Sequence, residues 1–498
     1  MKKTVNRSLL FARAYEQAAG AKITRETRPV FHLTPLAGWM NDPNGFSHYR
    51  GQYHLFYQYN PYDTEWDAMH WGHAVSHDLL RWTYLPAALA PDASYDSFGC
   101  FSGSAVELED GRQMLMYTGV RQEGGDKKKE YQTQCIAFGD GMEYRKFEGN
   151  PVLDSRDLPE GLSPFDFRDP KMWRTEEGTL KCVVGARRED KRGVLLQFES
   201  RNGTDWQYAG ILAENDGRFG LMWECPDFFP LDGKHVLFIS PQDMLPEGFE
   251  YHNGNGTVCL TGRYDGKKFI EETNQAIDYG IDFYAPQTIL APNGRRIMIG
   301  WMQNWDTCKT TGYEERPWFG QMSLPRELSL KNGRLYQQPI RELYQHRSRE
   351  AAYRDVLLDG EKTLEGIEGR VVELDIRLRP ADAGKPYTKF TMNFAQNAKY
   401  HSMLSYRPYE SLLKIDRKFS GSRRAFIHQR RCQVADQGGE IRLHVILDRF
   451  SAEVFINDGE QVMTATILTD SDARGISFES DGRVLMDIVK YSLFEGEE

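Results

Sequence analysis

Apolar residues along this chain come in short runs and rarely at helical spacing. QYHLFYQY (52–59), RQMLMYTG (112–119), LKCVVGAR (180–187), KHVLFIS (234–240) and RRIMIGWM (295–302) are brief apolar or alternating segments rich in β-formers, which is the pattern of strands. A glycine stands just before each: Gly51, Gly111, Gly178, Gly233 and Gly294, at intervals of 60, 67, 55 and 61 residues. A second marker keeps the same beat. Turn residues precede Trp82, Tyr144, Trp206 and Phe269, spaced by 62, 62 and 63 residues. A period of about 60 residues holding several short strands is the signature of a β-propeller, and five markers predict five blades. The alternative is a large sandwich with accidental regularity.

The beat stops near residue 340. LYQHRSREAAYRD reads as a polar connector, and alternating segments from RVVELDIRLRP to VLMDIVKYSLF follow it. FINDGEQVM carries an Asn-Asp-Gly turn between two of them, a hairpin signal. Such a block is most simply a β-sandwich. The predicted chain is therefore all-β. It has an N-terminal helical extension (1–30), a five-bladed β-propeller (31–340), a linker (341–355) and a β-sandwich (356–498). In the extension, Leu9, Leu10, Ala12, Ala14, Tyr15 and Ala18 predict a surface helix with an apolar side.

Composition narrows the function classes. Of 498 residues, 40% are hydrophobic and 27% charged, as in a core-forming globular chain. The net charge of −10 gives no general attraction to nucleic acid or anionic lipid. The basic run DKKKE (126–130) reads as a solvated loop tip. Seven cysteines without CxxC spacing suit free thiols in a reducing compartment. Arg7, Arg13, Glu16 and Lys22 interrupt the apolar core that a secretory signal needs. No stretch reaches the roughly 18 apolar residues of a membrane helix. The expectation is a soluble, cytoplasmic protein with no nucleic-acid or membrane partner. The sequence specifies no oligomeric state.

In a propeller the first strand of each blade lines the axis. The segments at that phase are GWMNDPNG, GCFSGSAV, DFRDPKMW, WECPDFFP and DFYAPQTI, centred on Asp42, Ser102, Asp169, Glu224 and Tyr284. Three blades thus send a carboxylate to one end of the axis. Clustered carboxylates serve either a hard metal or paired acid and nucleophile work on an acetal. Arg168, beside Asp169, adds a cation and argues against a metal. Trp39, Trp66, Trp71, Trp223 and Trp301 suit the apolar faces of sugars. No metal and no cofactor are expected, and the partner is a small sugar. His70, His73 and His77 read as structural, and HNGNGTV (252–258) lacks the helix pattern of a phosphate cradle. Cys225 is expected to shape the surroundings of Glu224.

At these residues the sequence resembles glycoside hydrolase family 32, the β-fructofuranosidases. WMNDPNG, FSGS, FRDP and WECPDFF match the family's motifs in order, and YHLFYQYNP, MHWGHAVSHDLLRW, LPRELSL and AEVFINDGE extend the match over nearly the whole chain. WDAMHWGH departs from the usual pattern at the rim near Trp66. The resemblance implies a propeller plus sandwich and retaining hydrolysis of fructofuranosides such as sucrose, sucrose 6-phosphate or short fructo-oligosaccharides. It implies Asp42 as nucleophile, Glu224 as general acid and base, and Asp169 as transition-state stabiliser. Asn41, Gln58, Trp66, Phe101, Ser102, Arg168, Tyr284 and Trp301 are the implied sugar contacts. The other classes open at this stage are an inverting propeller glycosidase of arabinanase type and a non-catalytic fructan-binding protein.

Overall fold

The structure, a computed structural model, describes residues 7–124, 129–308, 316–382, 385–421 and 427–496. The basic run at 126–130 lies mostly outside the described residues. Five four-stranded antiparallel units follow one another in sequence, each beginning with a strand at the axis. These inner strands are Gly38–Tyr49, Gly99–Glu107, Leu162–Arg174, Trp223–Leu231 and Tyr284–Leu290. The five marker glycines close the turn after each inner strand, at φ values from 79° to 83°, a region that side chains with a Cβ rarely enter. The marker aromatics stand at or just before the outer strands Thr83–Leu89, Tyr144–Lys146, Gln207–Glu214 and Phe269–Ala276. Both periodicities in the sequence are thus one blade.

The ring closes through a device that the pattern does not foretell. Trp318–Phe319, in the loop between the second and third strands of the last blade, pairs in parallel with Gly38 and Trp39 of the first.

The C-terminal block is a sandwich-like sheet built on one long strand, Gly475–Leu493. Its first half pairs with Lys389–Gln396 and its second half with Val372–Pro380. Arg347–Lys362 runs antiparallel along its other edge. The linker expected at 341–355 is shorter than predicted. Two turns of 3-10 helix, Arg341–His346, lead straight into the strand that starts at Arg347. Arg349, Glu350, Arg354 and Asp355 are exposed on that strand, which gives the segment the polar sequence of a connector.

Propeller and sandwich share a core cluster in which Phe31, Leu33 and Met322 meet Ile446, Phe455, Val462 and Leu493. Buried ions cross the same interface. His32 Nδ1 lies 2.8 Å from Asp448 Oδ2, and its Nε2 lies 3.0 Å from Glu453 Oε1. Arg326 reaches Glu453 at 2.6 Å and Asp278 at 3.0 Å, and Arg417 reaches Asp282 at 2.6 Å.

The N-terminal helix, Leu9–Gly20, is capped by Ser8, whose hydroxyl accepts from Phe11 N. It docks through Ala12 and Glu16, not through its whole apolar side: Leu10 is 79% exposed and Phe11 and Tyr15 are 40% exposed. Glu16 accepts the backbone N–H of Ala87, and burial pushes its carboxyl up to about 7.

Candidate active site

Each inner strand breaks register at the same level. The interruptions fall between Met40 and Pro43, Phe101 and Gly103, Arg168 and Lys171, Glu224 and Asp227, and Tyr284 and Gln287. A bulge leaves a residue out of the ladder and re-aims a side chain. Prolines 43, 170, 226 and 286 occupy four of these five places, where a missing N–H breaks no ladder bond. Asp169, Cys225 and Ala285 take left-handed φ values of 64°, 47° and 49° there. The turn-like residues around Asp42 therefore belong to a strand with a local break, and the break sets the direction of the side chain.

The bulges open onto a cavity of about 790 Å³. Asn41, Asp42, Gln58, Trp66, Phe101, Ser102, Arg168, Asp169 and Glu224 all line it. Asp42 Oδ2 accepts from Ser102 Oγ at 2.8 Å and faces Cys225 Sγ at 3.4 Å. Asp42 Oδ1 is buried and has no donor among the described residues. Burial, and next the charge of Glu224, push the Asp42 carboxyl up to about 6, against the donors of Asn41, Ser102 and Cys225. Asp169 Oδ2 accepts the backbone N–H of Cys225 at 3.0 Å, and Asp169 N donates to Thr118 Oγ1 at 2.9 Å. Burial pushes Asp169 up to about 7; Arg168 opposes this and Glu224 adds to it. Cys225 therefore touches Asp42 through its thiol and Asp169 through its backbone, a wider role than shaping Glu224 alone.

Glu224 has a different partner on each oxygen. Arg168 donates to Oε1 from Nε at 3.2 Å and from Nη2 at 3.0 Å. Tyr284 Oη lies 2.8 Å from Oε2 and 2.9 Å from the carbonyl of Ser240. Arg168 Nη1 reaches Asp166 Oδ1 at 3.0 Å, and Asp166 also holds Arg187. Gln58 donates to the carbonyl of Cys100 at 2.9 Å. Trp66 meets Phe101 edge-on at 5.7 Å, forming an aromatic wall.

Two expected sugar contacts stand one layer back. Tyr284 and Trp301 are fully buried and do not line the cavity. Tyr284 supports Glu224, and Trp301 packs edge-on against Trp305 at 5.1 Å. Trp305 lines the cavity in its place, as do Glu130, Gln132, Phe165, Asp166, Arg187, Gln242, Asp243 and Asn255. Asp166 had a legible signal, being two residues before Arg168 and so on the same strand face. Arg187 had none. His70 and His73 are buried, with His73 Nε2 3.0 Å from His54 Nδ1. Among the described residues the grouping with metal-ligand geometry is Glu373, Asp375 and His444, far along the chain in the sandwich. Arg347 already engages both oxygens of Glu373 there.

Residues 32–339 match the glycosyl hydrolases family 32 N-terminal domain, and residues 342–493 match the family 32 C-terminal domain. A sucrose-6-phosphate hydrolase of Escherichia coli is 37% identical over 90% of this chain and 91% of its own length. A raffinose invertase of Escherichia coli is 36% identical over the same shares. The solved Bombyx mori GH32 β-fructofuranosidase superposes with a TM-score of 0.80 at 32% identity, covering 97% of both chains. The chain belongs to glycosyl hydrolase family 32 and is a retaining hydrolase of terminal β-D-fructofuranosides.

Proposed function

We propose that Asp42, Glu224 and Asp169 carry out a double displacement on sucrose-like fructosides. Glu224 gives its proton to the glycosidic oxygen as the bond to the anomeric carbon breaks. Asp42 bonds to that carbon and becomes an uncharged ester. Water then attacks the same carbon, Glu224 takes the water's proton, and the ester bond breaks to release fructose. Asp169 accepts hydrogen bonds from fructose hydroxyls. Asn41, Gln58, Trp66, Phe101, Ser102 and Arg168 hold the sugar.

The observation that carries this assignment is the meeting of the three carboxylates in one cavity, each held by its own partners. Tyr284 Oη donates to Glu224 Oε2 at 2.8 Å, with Ser240 O at 2.9 Å as a second acceptor, and Arg168 donates to Oε1, so both oxygens of Glu224 are fixed at the cavity wall. Ser102 and Cys225 stabilise the Asp42 carboxylate that attacks.

The proposed compartment is the cytoplasm. All seven cysteines are buried and none is in a disulfide, as suits a reducing environment. Among the described residues no helix is long and apolar enough to cross a membrane.

Rapidly quenched Glu224→Gln enzyme with an activated fructoside tests the assignment. The first step needs little acid help and the second lacks its base, so a fructosyl ester should accumulate on the peptide containing Asp42. An adduct on another residue would overturn it.

A further inference from the structure

The cavity's charge distinguishes between the substrates named for its relatives. Among its described lining residues are six carboxylates, Asp42, Glu130, Asp166, Asp169, Glu224 and Asp243, against two guanidiniums, Arg168 and Arg187. Both cations are engaged. Arg168 lies between Asp166 and Glu224, at 3.0 Å from each. Arg187 donates to Asp166 from Nε at 2.8 Å and from Nη2 at 2.5 Å. Among the described residues outside the lining, Arg188 pairs with Glu214 at 3.1 Å and Lys129 with Glu123 at 3.6 Å. The remaining described lining is uncharged: Trp66, Phe101, Phe165 and Trp305 offer flat faces, and Ser102, Gln132 and Asn255 are among its neutral polar groups. These are groups for hydroxyls and C–H faces.

Resting on the double-displacement reading of this site, we propose that the cavity selects uncharged fructosides and discriminates against those bearing a phosphate on the leaving sugar. A phosphate dianion would enter a cavity with excess negative charge and meet guanidiniums already held by carboxylates. Low-dielectric walls focus such a field. One opposing unit charge at partial burial changes affinity by roughly tenfold. The reaction that supplies this substrate would then be uptake without phosphorylation, and free glucose would leave with fructose from sucrose.

The test compares kcat/KM for sucrose and sucrose 6-phosphate at low salt and at about 0.5 M salt, where exposed charges are screened. Wild type should favour sucrose by about tenfold or more. The gap should narrow with salt and in a Glu130→Gln, Asp243→Asn double variant. Calorimetric binding of both sugars to Asp42→Asn enzyme reads the same preference without turnover. Loss of turnover in wild type with sucrose still bound more tightly would overturn the reaction reading and leave the charge selection standing. Equal or better use of the 6-phosphate would overturn the selection. So would a gap indifferent to both salt and charge removal.

Discussion

Asp42→Asn should stabilise the protein while abolishing its activity. The Asp42 carboxyl moves from 3.8 to about 6 in the folded state because burial and the charge of Glu224 penalise its ionised form. A raised carboxyl pKa means that the native state holds the proton more tightly than the unfolded chain. Stability therefore falls as pH rises from near 4 to about 6, and the loss is complete above that. Two units correspond to about 3 kcal/mol at pH 8, with roughly half of that at pH 5, where native Asp42 is mostly protonated. Asparagine keeps the shape and carries no charge. Its amide can face Ser102, whose hydroxyl can turn to accept. Denaturant midpoints of wild type and Asp42→Asn at pH 8 and pH 5 measure the difference. The variant should be the more stable at both, by more at pH 8, with turnover down by several orders of magnitude. A variant less stable than wild type at pH 8, or a gain that grows as pH falls, would refute the claim that the buried charge opposes folding.

Four further outcomes are expected. The kcat/KM profile should have an acid limb near pH 6 as Asp42 ionises, and Cys225→Ala should move that limb upward by removing a donor to the carboxylate. For His32, burial pulls the pKa down, but Asp448 and Glu453 outweigh it and raise it from 6.5 to about 9. That contribution, about 3 kcal/mol, is fully present below pH 6.5 and fades as pH rises through 9, so a His32→Gln variant should lose most of the alkaline destabilisation seen by thermal melts between pH 7 and pH 10. A fragment ending at residue 345 should aggregate or bind a hydrophobic dye, because Phe31, Leu33 and Met322 lose their sandwich neighbours; dialysis of the whole chain against chelator should leave its rate unchanged.

Several features were legible because they are local or periodic. Turn glycines at Gly51, Gly111, Gly178, Gly233 and Gly294 mark the blades because each must adopt positive φ. The three carboxylates stood out because they share one phase of that period. Asp166 was within reach of the same reasoning by strand alternation. Other features depend on which segments meet across the chain. Tyr284 and Trp301 share the inner-blade context of true cavity residues, yet packing against Glu224 and Trp305 places them behind the wall. Trp318–Phe319 completes the first blade from 280 residues away in sequence, as the register Gly38↔Trp318 shows, and pairing that distant leaves no local pattern. The polar run after His346 reads as linker until the long strand Gly475–Leu493 supplies its partner. The charge balance of the cavity is also a tertiary property. A sequence counts carboxylates and guanidiniums, but only the fold decides that Asp166 neutralises Arg187 and that six acids face one space. Periodicity fixes which residues face the axis, since steric and hydrogen-bond rules act over a few residues. Long-range packing decides which of them reach the sugar, since it depends on segments that meet only after the ring has closed.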